Sequence, residues 1–236
     1  VLEDQLGVEG YEAINSKIRK IPIPTYTGYY PDSAKDWRRE FEIEKNNFLF
    51  VFSGLIRPYK GIELIIDIAK YFKLKQYRAD FLITGRCEMQ EYQEAICSLA
   101  TGVDNVHLSL DFVKNEELGN LIESADAVLL PLDTKSSLNS SSCYLAFSYG
   151  KTVVCPPNGT LGEFDPDLVY SYKCASNDVR ERQIVLAAER AYLDWVKDPC
   201  AFAEKGRILK TIVDSENSVN AIGEMYKVAA EMSLNP

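Results

Sequence analysis

The chain has 236 residues, 46% of them hydrophobic and 26% charged, with a formal net charge of -9. That length can bury a real core in one large domain or two small ones, and the composition is that of a soluble globular protein. The acidic balance argues against nucleic acid as the main partner and against adhesion to anionic lipid through bulk charge, and no apolar run approaches the roughly 20 residues of a membrane span.

The chain opens on Val1-Leu2-Glu3-Asp4-Gln5, without an initiator Met or a basic-then-apolar signal pattern, and reads as an internal piece of a longer polypeptide. One short helix is expected over residues 11–20, followed by Ile21-Pro22-Ile23-Pro24 as an extended connector. Ser33-Ala34-Lys35-Asp36 fits a capping box that opens a short helix carrying Trp37 and Phe41.

From Phe48 onward strands and helices alternate. Strands are expected over residues 48–53, 80–84, 105–110, 127–130, 152–155 and 168–170. Between them the apolar spacing predicts helices over 60–72, 89–100, 116–124 and 142–149. Asn115 is the expected cap of the third of these, with Glu116 and Glu117 well placed in its first turn, and Gly150 the expected C-cap of the fourth. Beyond Ser176 the pattern is all-helical, over residues 178–197, 199–213 and 218–232. In the last of these Val219, Ile222, Met225, Ala229 and Met232 form an apolar stripe. Continuous apolar strands between amphipathic helices predict an α/β fold, a Rossmann-like parallel sheet covered on both faces, with a helical C-terminal tail. In such sheets ligands bind beyond the carboxyl ends of the strands.

The six cysteines (Cys87, Cys97, Cys143, Cys155, Cys174, Cys200) form no CxxC pair, and Cys97 and Cys155 read as core thiols. A reducing, cytoplasmic setting fits them better than a disulfide framework or a zinc site, so no metal and no cofactor are expected. The single His107 reads as a strand residue without catalytic duty.

Two loops stand out at expected strand ends. Phe52-Ser53-Gly54-Leu55-Ile56-Arg57-Pro58-Tyr59-Lys60-Gly61 sets two cations between a strand and a helix start, where free N–H groups and the helix dipole favour an anion, most simply a phosphate or diphosphate. Its spacing is neither a dinucleotide fingerprint nor a P-loop. The same residues also fit an ordinary helix start with a surface Arg and Lys. Residues 131–142, rich in Ser and Asn, lie before another helix; they suit sugar hydroxyls or phosphate oxygens, or equally a flexible capped loop.

Here a family resemblance enters. The stretch Phe52 to Gly61 resembles the "FGxIRPYKG" segment of group 1 glycosyltransferases, the retaining family with the GT-B fold. Upstream, Tyr29-Tyr30-Pro31 resembles what precedes that segment in a subset of the family. Leu82-Ile83-Thr84-Gly85-Arg86 is similar to the "LxIxGx" strand end, and Phe112-Val113 with Glu116-Glu117-Leu118 to "GFVxxEEL". Ala125-Asp126-Ala127-Val128-Leu129-Leu130-Pro131 resembles "ADxxxLP", and Ala146-Phe147-Ser148-Tyr149-Gly150-Lys151 resembles "AxSxGKP". These motifs run in the family's order over residues 29–163.

The resemblance implies the C-terminal, nucleotide-sugar-binding domain of a two-domain enzyme. Residues 1–24 would be a connector from a missing N-terminal acceptor domain, 25–213 the Rossmann-like domain, and 214–236 the helix that crosses back. Arg57 and Lys60 would hold the donor diphosphate and neutralise it as it leaves. Gly54 would give the phosphates backbone room, and Asp111, Phe112 and Val113 would lie near the nucleobase. Gly85, Arg86, Asn139, Ser140, Ser141 and Ser142 would complete the donor site. The partners implied are a nucleotide-diphosphate sugar and the acceptor domain, with peripheral membrane contact at the inner face open to the missing half. Many members carry two glutamates before "GKP" that contact the donor sugar and ribose; those positions fall at about Ser137 and Leu145, and neither is acidic. A non-catalytic glycosyltransferase-like module is therefore the alternative. An unrelated α/β regulator or hydrolase would need an acidic cluster at the strand ends, for which only Asp111, Asp126 and Asp133 offer themselves.

Overall fold

The structure, a computed structural model, describes residues 21–31, 33–132, 140–157, 162, 164–172 and 177–234. The helix expected over residues 11–20, most of the serine-rich loop including Asn139, Asp133, Ser137 and Cys174 lie outside the described residues.

All six expected strands form: β1 (Phe48–Ser53), β2 (Ala79–Thr84), β3 (Val106–Ser109), β4 (Ala127–Leu129), β5 (Thr152–Cys155) and β6 (Tyr170–Ser171). They make one parallel sheet in the order β3-β2-β1-β4-β5-β6. This is the doubly wound Rossmann order, and it reverses direction between β1 and β4, the place where such sheets offer a ligand crevice at their carboxyl ends. β1 is central: Phe48 to Ser53 pair with Ala79 to Thr84 on one side, and Phe50 and Val51 with Ala127 and Val128 on the other.

The alternation of side chains along β1 feeds two cores. Phe48, Phe50 and Phe52 enter the larger one, which takes in Phe72 and Phe81; Phe50 stacks on Phe81 with centroids 5.0 Å apart and meets Phe72 edge-on at 5.7 Å. Leu49 and Val51 point the other way, against Trp37, Leu82, Leu121 and Ala125. Each such fully buried side chain contributes roughly 1.5–3 kcal/mol, which is why strands apolar on both faces hold the middle of the sheet.

The covering helices are α1 (Trp37–Glu40), α2 (Ile62–Leu74), α3 (Gln90–Ala100), α4 (Asn115–Ser124), α5 (Ser141–Ser148), α6 (Asn177–Lys197), α7 (Pro199–Glu216) and α8 (Val219–Leu234). Several starts differ from the sequence expectation. α1 is capped by Asp36, whose carboxylate accepts from Arg39 N at 3.1 Å, whereas Ser33 Oγ accepts from Lys35 N. The capping box is not formed, because the helix begins at Trp37, too late for Ser33 to reach its free N–H groups. Asn115 is the first residue of α4 rather than its cap; Lys114 takes that place without a side-chain cap. α5 ends at Ser148 with Tyr149 as C-cap, which leaves Gly150 one position beyond at φ +67°.

Two acids prove structural. Asp126 sits at the amino end of β4, where its carboxylate takes Arg38 Nη2 at 2.7 Å and Leu49 N at 2.8 Å. Asp80 is buried and bonds His107 Nε2 at 2.8 Å and Asn47 Nδ2 at 2.8 Å, so His107 is a strand residue with a local partner. Cys155 is buried, but Cys97 is exposed on α3, because the buried face of that helix passes through Ile96 and not through its neighbour. α7 runs through residue 213 to Glu216. On α8 Ile222 is buried, while Val219 and Tyr226 are 73% and 61% exposed.

Candidate functional site

The carboxyl ends of β1, β2 and β3 are laced together by backbone contacts. Gly54 N donates to Thr84 O (3.2 Å) and Gly85 N to Ser109 O (2.9 Å). Thr84 Oγ1, fully buried, donates to Phe52 O at 3.0 Å. Gly54 and Gly85 take φ values of +152° and +132°, and a Cβ on Gly85 would come within 1.9 Å of Gly54 O. Only glycine at residue 85 permits this crossing. One step further, Ile56 N donates to Arg86 O at 2.9 Å and Ile56 bridges Cys87 in parallel register.

Beside this crossing lies a cavity of about 370 Å³. Its walls include five of the expected donor-site residues, namely Gly54, Gly85, Arg86, Phe112 and Val113. Phe112 is 69% exposed at its edge, whereas Val113 is half-buried against the smaller core. A wider hollow of about 470 Å³ opens at the amino ends of the strands, around Asn47, Lys73, Asp80 and Asp104. Its one lysine already pairs with Asp104 at 2.8 Å, and it lies at the end of the sheet opposite the crevice, so the smaller cavity is the better site.

The cation loop sits next to that cavity in a form the sequence did not predict. Pro58–Lys60 is a short 3-10 turn, and α2 begins only at Ile62 with Gly61 as N-cap at φ +68°. The expected helix start at residue 60 is thus two residues early, because the left-handed Gly61 ends the 3-10 turn before α2 can begin. Arg57 Nη2 lies 3.6 Å from the Glu88 carboxylate, and Lys60 Nζ stands 5.2 Å from the Tyr59 ring centroid. Gly61 packs against β4's exit, where an added Cβ would lie 2.9 Å from Pro131 O. The loops after β1 and β4 therefore meet at the topological switch point, through Gly61 and Pro131.

Ser140 is buried and serves as N-cap of α5 in backbone only, with no side-chain cap bond. Ser141 is exposed and Ser142 half-buried. From Cys143 to Ser148 every residue of α5 is buried, Leu145 included, so this helix is a core element with only its first turn at the surface. Asp111 is exposed just beyond β3. Arg57, Lys60, Asp111, Ser140, Ser141 and Ser142 do not line the 370 Å³ cavity itself. Ser53, Leu55, Glu88, Asn115 and Leu118 do, although sequence reasoning placed them in or beside the ligand-side loops without assigning them to the donor site. Asn115 was read as a cap, and Glu88 carried no signal beyond its place after Gly85. Among the described residues no group of three or more His, Cys, Asp or Glu side chains could hold a metal ion.

Known proteins resemble this chain in sequence and in fold. The family described as glycosyl transferases group 1 has a model that matches residues 33–180. The lipopolysaccharide 1,2-N-acetylglucosaminetransferase of Salmonella typhimurium is 23% identical over 84% of this chain and 52% of its own length. The crystal structure of Anabaena HepE in complex with UDP-glucose superposes with a TM-score of 0.64 at 18% identity, covering 89% of this chain and 55% of that one. A crystal structure of the C-terminal domain of a glycosyl transferase group 1 family protein (LpcC) from Francisella tularensis gives a TM-score of 0.62 at 15% identity, over 84% of this chain and 100% of that one. The chain spans about a quarter to about half of the length of the curated relatives it matches. With a family model matched over well more than half its residues and the Rossmann order of its sheet, the chain belongs to the group 1 glycosyl transferases.

Proposed function

We propose that the chain is the C-terminal, donor-binding half of a retaining GT-B enzyme that moves a sugar from a nucleotide-diphosphate sugar to an acceptor in glycan or polysaccharide synthesis. The observation that carries this reading is the convergence of Gly54, Gly85, Arg86, Phe112 and Val113 on one cavity beside the Arg57/Lys60 loop. Phe112 and Val113 offer the nucleobase an aromatic and an aliphatic surface. Gly54 and Gly85 leave backbone room for the ribose and phosphates. Arg57 and Lys60 then meet the diphosphate, with Asp111 and the first turn of α5 (Ser140, Ser141, Ser142, next to Asn139) at the borders of the site. Two cations fixed at the leaving diphosphate stabilise its developing charge without a metal. The match to the whole length of the LpcC domain supports the assignment to the C-terminal half. In that arrangement residues 1–24 connect to the acceptor domain, and the tail from residue 214 crosses back to it, with the helix junction at Asn217. No helix among the described residues is long and apolar enough to cross a membrane. The reading sets the intact protein in the cytoplasm, or at the inner face of a membrane through its other half.

Calorimetry of the chain with UDP, GDP, ADP and the matching nucleosides, without divalent metal, tests the reading. One nucleoside diphosphate should bind far better than its nucleoside. Binding of none of the three, or binding only with a divalent metal, would overturn it. The non-catalytic module is kept as a second reading on one observation: Leu145, at about the place where the family resemblance sets one of two glutamates, is packed into the core and offers the site no carboxylate.

A further inference from the structure

We propose that Glu88 competes with an anionic ligand for Arg57 and has to be displaced before that ligand can take the guanidinium, an inference that rests on the donor-site reading above. The pair follows from backbone register. Ile56 and Cys87 are bridged in parallel, with Ile56 N donating to Arg86 O at 2.9 Å, so their successors Arg57 and Glu88 are neighbours across the two loops. Arg57 is fixed in extended backbone (φ -145°, ψ 154°) by the following Pro58, which excludes the helical region for it. Glu88 is tethered in turn, since the Cys87 thiol donates to Met89 O across it. The two charges therefore meet at 3.6 Å.

Glu88 also lines the 370 Å³ cavity together with Arg86 and Phe112. Glu88 thus borders the cavity while its carboxylate holds the cation on which a phosphate group would settle. A ligand of higher charge, such as a diphosphate, competes well with a single carboxylate for one guanidinium, whereas an uncharged nucleoside leaves the pair intact. The contact therefore costs an anionic ligand part of its affinity and leaves an uncharged one unaffected. The pair is half-exposed and therefore weak, so a ligand can break it.

The test is a double-mutant cycle on the 236-residue chain, with calorimetry of UDP, or of whichever of GDP and ADP binds best, and its nucleoside. Glu88→Gln should tighten nucleoside diphosphate binding by about two- to fivefold, the scale of an exposed ion pair, and leave the nucleoside unchanged. The gain should vanish in an Arg57→Ala background, because the carboxylate acts through Arg57. Unchanged or weaker binding by Glu88→Gln, or a gain that persists without Arg57, would overturn the role of Glu88 while the donor site stands. Absence of nucleoside diphosphate binding by the wild-type chain would overturn both. Glu88 and Arg57 are both half-exposed, so thermal melting should show each variant folded like the wild type.

Discussion

Gly54 and Gly85 cross backbone to backbone at the rim of the sheet, so close that a Cβ on Gly85 would meet Gly54 O at 1.9 Å, whereas one on Gly54 would meet nothing within 4 Å. Both glycines have positive φ, so strain is common to the two and steric collision belongs to Gly85 alone. Gly85→Ala should cost at least about 2 kcal/mol through overpacking and strain, a fall in Tm of roughly 4–8 °C for a chain of this size. Gly54→Ala should cost clearly less. Equal melting of the two variants would show that the loops do not cross in solution.

The two cations should matter to ligand and not to fold. Arg57→Ala and Lys60→Ala should each weaken nucleoside diphosphate binding by at least about tenfold, since a charge-assisted contact is worth roughly 1.5–3 kcal/mol. Tm should stay within about 2 °C, because surface changes of this kind cost no more than about 0.5 kcal/mol. Retained binding in both variants would shift the phosphate site to the first turn of α5.

Phe112 makes the complementary case. Its ring is 69% exposed at the cavity edge, so its loss removes little core packing. If the base lies against it, Phe112→Ala should weaken UDP and uridine by a similar factor of about ten, because a stacked base contributes roughly 1–3 kcal/mol. Arg57→Ala should separate the two ligands and Phe112→Ala should not. A Phe112→Ala effect confined to the diphosphate would remove the nucleobase from this wall.

The central strands β1, β4 and β5 were legible because they are nearly continuous apolar runs, the pattern forced by a sheet covered on both faces, as Phe48, Leu49, Phe50 and Val51 demonstrate. Helix starts were less so. Asn115 and Ser33 are good caps by residue type, yet the chain path gives those places to Lys114 and Asp36. At Gly61 the left-handed turn that delays α2 depends on the close approach to Pro131, a contact with a residue seventy positions away. The same limit hid Glu88 from sequence reasoning: its pairing with Arg57 is set by the register of two loops, and no local pattern encodes it. Cys97, one residue from the buried Ile96, shows that a one-residue shift around a helix decides core or surface.

Asp214 on α7 ties down the segment that leads into the sheet. It accepts from Thr25 Oγ1 at 2.8 Å, Thr27 Oγ1 at 2.6 Å and Lys210 Nζ at 2.6 Å, while Tyr26 N donates to Ser148 Oγ and Asn217 Nδ2 to Ile23 O. Burial pushes its carboxyl up, but the hydrogen bonds from Lys210, Thr27 and Thr25 outweigh that and hold it below the usual carboxylate range. A depressed folded-state value means stability that is present in full above about pH 4, the ordinary aspartate value, and lost as pH falls through the lower value of the folded state. Asp214→Asn should therefore lower stability at pH 7 by about 1–2 kcal/mol, allowing for solvent screening at a side chain about one-third exposed. The gap between wild type and variant should hold from pH 7 to pH 5 and narrow steadily as pH falls below about 4, the ordinary aspartate value. Melting both proteins across that range decides it: a gap that does not shrink in acid would mean that Asp214 holds Thr25 and Thr27 by shape and not by charge.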